Sequence, residues 1–172
     1  VKFNCDGPYM RNGDGQYLWP VQLDGEQYLK PISSDLSQVV VDINNYLHGV
    51  GYQEFAAYMT YCVTETGQKY LLAGQPVPGG GVGSDTYIFD LAKGIAAFSG
   101  EVIKSEAWPY FGCSSILQIS SESMYVFCSA GDGGFSAQAI YKKNLTSGEV
   151  TPVIKCTDQV GEDLPSSKTT CQ

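Results

Sequence analysis

The clearest helical pattern in the chain lies between residues 35 and 48. Five apolar residues recur there at the spacing of one helical face: Leu36, Val39, Val40, Ile43 and Leu47. Asp35 and Gln38 have the spacing of a capping pair, and Gly49 stands where a helix often ends in a left-handed residue. Because the valines lower the helix propensity, we predict a helix over 35–48 that depends on packing against a sheet.

Alternation of apolar and polar residues replaces this spacing after Gly51. The segment YQEFAAYMTYCVTE predicts a strand whose apolar side carries Phe55, Ala57, Met59, Tyr61 and Val63. ETGQ then predicts a turn into a second strand, KYLLA, so that the two form a hairpin. The glycine- and proline-rich segment GQPVPGGGVGS, residues 74–84, predicts a loop without regular structure.

Short polar turns divide most of the remaining chain into pairs of strands. Asp24 and Gly25, between VQL and EQYLK, are a strong signal for a two-residue hairpin. Segments 85–100, 114–130 and 137–156 each consist of a strand, a polar turn and a strand, which is typical of a meander and similar in style to propeller hairpins. We predict a mainly β fold over residues 1–172, a single domain of antiparallel meander and hairpin sheets, partly propeller-like or an open barrel, with one packed α-helix.

The composition favours a β-rich chain and narrows the choice of partners. Charged residues make up only 16%, while 12 tyrosines and 20 glycines stand in place of the residues that helical proteins favour. A formal charge of -8 repels phosphate backbones, so we expect no nucleic-acid partner and favour a cationic protein. No apolar run approaches the roughly 20 residues of a membrane helix, so we expect no membrane span.

Six cysteines and the absence of any C-x-x-C pair favour disulfides over a metal site. Two short loops suggest the pairs Cys113–Cys128 and Cys156–Cys171, which leaves Cys5–Cys62, although six cysteines allow about 15 connectivities. A regular hairpin centred on Ser121 would instead set Cys128 opposite Ser114, which weakens the first pairing. Disulfides are found in oxidising compartments, so we expect a periplasmic or secreted protein.

Few residues in the sequence could carry catalysis. His48 is the only histidine, and it lies at the predicted end of the helix, where the dipole favours its charge. No serine lies in a G-x-S-x-G motif, and GGGVGSDT lacks the lysine of a phosphate-binding loop. We therefore predict no enzyme, no cofactor and no metal, while a hydrolase with an unrecognised site stays an open alternative.

The segment EAWPYFGCSSILQ combines large aromatic residues with a cysteine and small hydroxyl residues. It lies between two predicted hairpins, so its aromatics either cap the core or contact a partner. The two serines either form a rigid loop tip, fastened by Cys113, or simply begin the strand ILQIS. A second candidate surface is SAGDGGFSAQ, which is otherwise a hairpin connection. The candidate partner-binding residues are Trp108, Tyr110, Phe111, Gly112, Ser114, Ser115, Asp132 and Phe135.

In size, exported β-rich character and the GCSS segment at 112–115, the chain resembles periplasmic immunity proteins against amidase effectors delivered by type VI secretion. The resemblance implies that a serine-bearing loop enters the Cys-His cleft of a peptidoglycan amidase, with Ser114 and Ser115 engaging the catalytic histidine. Tyr110 and Phe111 would then pack against the groove walls. The alternative is a secreted module that binds a glycan or another ligand.

Overall fold

Alternating strands and tight turns build two antiparallel sheets in the computed structural model, which describes residues 2–76, 83–95, 102–104, 111–132, 135–159 and 168–172. The seven-stranded sheet has the order β3-β2-β1-β4-β5-β6-β7. Its strands are β1 Phe3–Arg11, β2 Tyr17–Leu23, β3 Glu26–Pro31, β4 Tyr58–Thr64, β5 Lys69–Pro76, β6 Ser84–Asp90 and β7 Val102–Ile103. Within the described residues the fold is thus mainly β, as predicted.

The second half of the chain forms a five-stranded meander, in which each strand pairs with its neighbours in sequence. Its strands are β8 Gly112–Ile119, β9 Ser123–Asp132, β10 Phe135–Asn144, β11 Val150–Gln159 and β12 Lys168–Cys171. The predicted hairpins at 114–130 and 137–156 are confirmed. In segment 85–100 the first strand is β6, whereas most of the predicted return strand lies outside the described residues.

Three layers bury two cores on opposite faces of the seven-stranded sheet. On one face lies α1, Ser37–Gly49. Its residues Ile43 and Leu47, both 0% exposed, pack against strand residues such as Met59 and Phe89. On the other face, the five-stranded sheet packs against strand residues such as Leu72. The architecture is therefore a helix on two stacked sheets, and neither sheet closes into a barrel.

The predicted helix is confirmed, but both of its ends differ from the prediction. At its end, Gly49 is still helical, and the left-handed glycine is Gly51 (φ 108°). A 3-10 helix, Ser34–Leu36, precedes α1, and the side chain of Ser33 accepts a hydrogen bond from the backbone of Asp35. Gln38 bonds to Asp42 one turn further on instead of forming a capping pair with Asp35. The capping pair is therefore wrong, because the chain enters the helix through a tighter turn whose cap is Ser33.

Two predictions about the central strands need correction. Phe55 precedes β4, which begins only at Tyr58, so its side chain is 45% exposed and its ring lies tilted against His48 with the centroids 5.0 Å apart. The polar alternate positions of β4, such as Thr60, are buried as well, since the second sheet covers them. Residues 74–76 belong to β5 and pair with β6, so the predicted loop is shorter than 74–84, and residues 77–82 lie outside the described part.

All three predicted disulfides are confirmed, and each joins two directly opposed residues of neighbouring antiparallel strands. Pairing of β8 with β9 begins at Ile119 and Met124, a register that alone would place Cys128 opposite Ser115. The register shifts twice along β8, by one residue each time, and these bulges bring Cys113 opposite Cys128. The expectation that Cys128 lies opposite Ser114 assumed a regular hairpin, and the two bulges make that assumption wrong.

Candidate functional site

The GCSS segment begins an edge strand and joins the two sheets. Its residues 112–115 lie in β8, so they do not form a protruding loop tip. The carbonyl of Phe111 accepts a hydrogen bond from the backbone of Ser84 (2.7 Å), and the backbone of Cys113 donates to the Thr86 hydroxyl (3.1 Å). These two hydrogen bonds tie the beginning of β8 to β6, a strand of the other sheet. The segment therefore has a clear structural role.

Phe111 is a core residue, which corrects its assignment as a partner contact. Its side chain is 1% exposed, and its ring meets Tyr141 edge-on with the centroids 6.1 Å apart. Phe111 directly precedes β8 and belongs to the core between the two sheets, where burial of an aromatic ring is favourable. Phe111 fills the space between the sheets.

The structure describes only part of the other predicted contact residues. Gly112 lies against the Tyr58 ring, and Ser114 and Ser115 are half-buried along β8. The backbones of Asp132 and Phe135 form the closing pair of the β9–β10 hairpin, which is the connection that the sequence favoured. Trp108 and Tyr110 lie outside the described residues. Any role of these residues in binding stays a prediction.

The feature that does protrude is the outer part of the β2–β3 hairpin, residues 20–29, which we call the arm. β2 pairs with β1 through Tyr17 with Arg11 and Leu18 with Met10, and the pairing goes no further along the strand. Continuing this register would place Pro20 opposite Pro8, and since neither proline has an N–H group, this hydrogen-bonded pair cannot form. The arm therefore leaves the sheet, and its two strands pair with each other alone.

The arm exposes large apolar side chains that would normally be covered. Leu23 and Leu29 are each 61% exposed and Tyr28 is 47% exposed. Opposed residues in paired strands share a face, so Val21, Leu23 and Tyr28 form an apolar stripe on one face of the arm beside Glu26. Leu29, opposite Pro20, lies on the other face. Exposed apolar area of this kind is typical of surfaces that contact another molecule.

The arm ends in a tight turn and carries negative charge at its tip. Asp24 (φ 54°) and Gly25 (φ 81°) adopt the left-handed conformations of a tight hairpin turn. Asp24 and Glu26 are the charged residues of the arm, while Lys30 at its base forms an ion pair with Asp6 at 3.9 Å. The arm thus combines apolar area with negative charge, which is complementary to a cleft with a basic rim.

A cluster of titratable side chains lies elsewhere, on the helix face of β6. Tyr52 donates a hydrogen bond to the Asp85 carboxylate (2.8 Å), Tyr87 donates to the Tyr52 hydroxyl (3.0 Å), and Lys104 lies 3.5 Å from the same carboxylate oxygen. Burial, helped by the bonds to Tyr87 and Asp85, raises the pKa of Tyr52 far above its ordinary value. The phenol stays protonated, so it acts as a donor that fastens the segment after α1 to β6.

Two open grooves on the surface have volumes of about 450 and 660 Å³. The larger of these two lies at the base of the arm. Its lining combines three serine hydroxyls with the apolar side chains of Ile32 and Val40. The serines are Ser33, Ser34 and Ser37. This groove could hold a small polar ligand, but its only aromatic residue, Tyr17, is buried and gives no stacking platform for a sugar.

Among the described residues, no three His, Cys, Asp or Glu side chains are grouped so as to hold a metal ion. The same part of the chain contains no helix with the length and hydrophobicity of a membrane span. Comparison with protein-family models, with curated proteins and with solved structures finds no significant match. The functional conclusion therefore depends on the arm and the surfaces around it.

Proposed function

We propose that this chain is an exported inhibitor that uses the arm to occlude the active-site cleft of a cationic cell-wall-degrading enzyme. More specifically, we propose a periplasmic immunity protein against a peptidoglycan amidase effector, in a toxin–antitoxin arrangement. The arm is the observation that carries this proposal, because it presents Leu23, Tyr28 and Leu29 to solvent beside two acidic residues.

The base of the arm is held firmly, which lowers the entropic cost of binding. Tyr17, where β2 begins, is 4% exposed and donates a hydrogen bond to the carbonyl of Ala56 (2.7 Å). β1, the neighbour of β2, is joined covalently to β4 by Cys5–Cys62. A narrow ribbon on such a base can enter a cleft without rearranging.

Charge supports the choice of partner, and the disulfides support the compartment. A formal charge of -8 speeds association with a cationic enzyme through electrostatic steering. Three disulfides are compatible with a periplasmic or extracellular location, where such an enzyme acts. Apolar contact by the arm would supply the affinity, and the acidic tip would supply orientation.

The test is inhibition of a purified cationic peptidoglycan amidase effector from the same organism. Leu23→Asp and Leu29→Asp should each raise the inhibition constant at least about tenfold, since each removes an exposed apolar contact worth more than about 1.4 kcal/mol. Val153→Asp is the matched control, because Val153 is 54% exposed on β11, far along the chain. Melting temperatures should stay close to that of the wild type.

Two outcomes separate this proposal from its competitors. If both arm variants inhibit as well as the wild type, while bulky replacements of Ser114 or Ser115 abolish inhibition, the contact surface is β8 and the arm is not involved. The serine-lined groove at the arm base supports a second candidate function, binding of a small polar ligand, although it offers a sugar no stacking platform. Calorimetric titration with peptidoglycan fragments, repeated with Ser34→Trp to fill the groove, tests it directly.

A further inference from the structure

The outer edge of β3 offers backbone groups that have no partner in the described part of the chain. The backbone of Ile32 donates to Tyr17, so, counting back in twos, Lys30, Tyr28 and Glu26 bond inward to β2. The alternate residues, Gln27 and Leu29, therefore point their N–H and C=O groups outward. All six residues of β3 are exposed. Pro31, the next outward residue, has no N–H and ends the row of donors.

We propose that two copies of this chain pair through these edges, β3 against β3, antiparallel about a two-fold axis at Tyr28. In this register, Gln27 of each copy lies opposite Leu29 of the other, and each such pair exchanges two N–H···O bonds. A register centred on Gln27 would bring Leu29 against Gly25, which is in the turn. A register centred on Leu29 would pair Gln27 with Pro31 and lose donors.

Side-chain charges favour the same register. Centring on Tyr28 places Glu26 of each copy opposite Lys30 of the other, on the same face of the new four-stranded ribbon, where opposed side chains come close. Both residues are exposed, and the present ion pair of Lys30 with Asp6 is long, at 3.9 Å. Lys30 is therefore able to reach Glu26 of the second copy, and the edge is complementary to itself.

The pairing also extends the apolar stripe of the arm. Tyr28 of each copy meets its symmetry mate, so the stripes that contain Val21 and Tyr28 become continuous across the axis. The contact is smaller than the roughly 1,200 Å² of a stable interface, so the expected dimer dissociates in the micromolar to submillimolar range. This inference does not depend on the proposed inhibition of a cell-wall-degrading enzyme, because the dimer forms from this chain alone.

Sedimentation equilibrium on the purified, oxidised chain tests the backbone part of the proposal. Leu29→Pro removes the outward N–H but no bond to β2, whereas Leu29→Ala removes the side chain and keeps the N–H. We expect Leu29→Pro to weaken dimerisation about tenfold or more, and more than Leu29→Ala does. A wild-type chain that is monomeric at roughly 1 mM overturns the proposal, as does equal weakening by the two variants.

A charge exchange tests the register and identifies the occupant of the edge. Glu26→Lys and Lys30→Glu should each weaken the dimer by about tenfold, because each puts like charges opposite one another twice. The double variant restores opposite charges and should recover dimerisation, while circular dichroism confirms folding of all three. Failure of the double variant to recover excludes this register. If all three variants dimerise as strongly as the wild type, the chain associates through another surface and the proposal is wrong.

Discussion

Replacing Phe111 with alanine distinguishes a core residue from a contact residue at the beginning of β8. The side chain is 1% exposed and meets Tyr141 edge-on, so its removal takes a whole ring from between the two sheets. Deleting a buried phenylalanine side chain costs about 3–5 kcal/mol, because contacts are lost and the cavity collapses only in part. In a chain of this length that corresponds to a fall in melting temperature of about 6–20 °C.

Differential scanning calorimetry under oxidising conditions measures this fall, with Leu117→Ala as the control. Leu117 lies on the same strand but is 41% exposed, so its truncation should cost about 1 kcal/mol or less. Inhibition by folded Phe111→Ala at low temperature should be close to that of the wild type. A variant that melts within about 2 °C of the wild type but no longer inhibits would refute the assignment of Phe111 to the core.

Three further predictions follow from local packing and titration. Gly74→Ala should destabilise the fold by about 1–3 kcal/mol in urea denaturation, because a β-carbon there overlaps the Tyr58 ring, whereas Gly13→Ala meets open space and should be nearly neutral. Burial raises the pKa of Tyr58 to about 12 from 10.0, so the free energy of unfolding should decline as the pH rises from 10 towards 12, and less steeply in Tyr58→Phe. Limited reductant should open Cys156–Cys171 first, since Cys171 is exposed; differential alkylation showing simultaneous loss of all three bridges would contradict this.

Much of the fold could be predicted because its determinants are local. The turn at Asp24 and Gly25 requires left-handed backbone, which these residue types tolerate, and the observed φ angles are 54° and 81°. The helix depends on a spacing that is visible in the sequence. Two disulfide pairs, Cys113–Cys128 and Cys156–Cys171, followed from loop lengths, because a meander brings cysteines of adjacent strands together, and Cys5–Cys62 followed only as the remaining pair.

The layering and the strand registers could not be predicted in the same way. β5 is buried on both faces, so Leu71 and Leu72 are equally inaccessible and show no alternation that would reveal two covering layers. No local pattern in the sequence marks the two bulges in β8. Phe111 belongs to the core between the two sheets, whereas its aromatic neighbours in the sequence suggested a contact surface.

The arm was predictable as a hairpin but not as a free one. Its separation from the sheet depends on two prolines, Pro8 and Pro20, that are distant in sequence and become opposed only when β1 and β2 pair in one register. A proline at either position alone would remove one donor, whereas their opposition removes both bonds of a hydrogen-bonded pair. The exposed leucines of the arm follow from this, because a ribbon that leaves the sheet has no second layer beneath it. The exposed apolar surface of the arm comes from a register and not from a motif, so the sequence carries no signature for it.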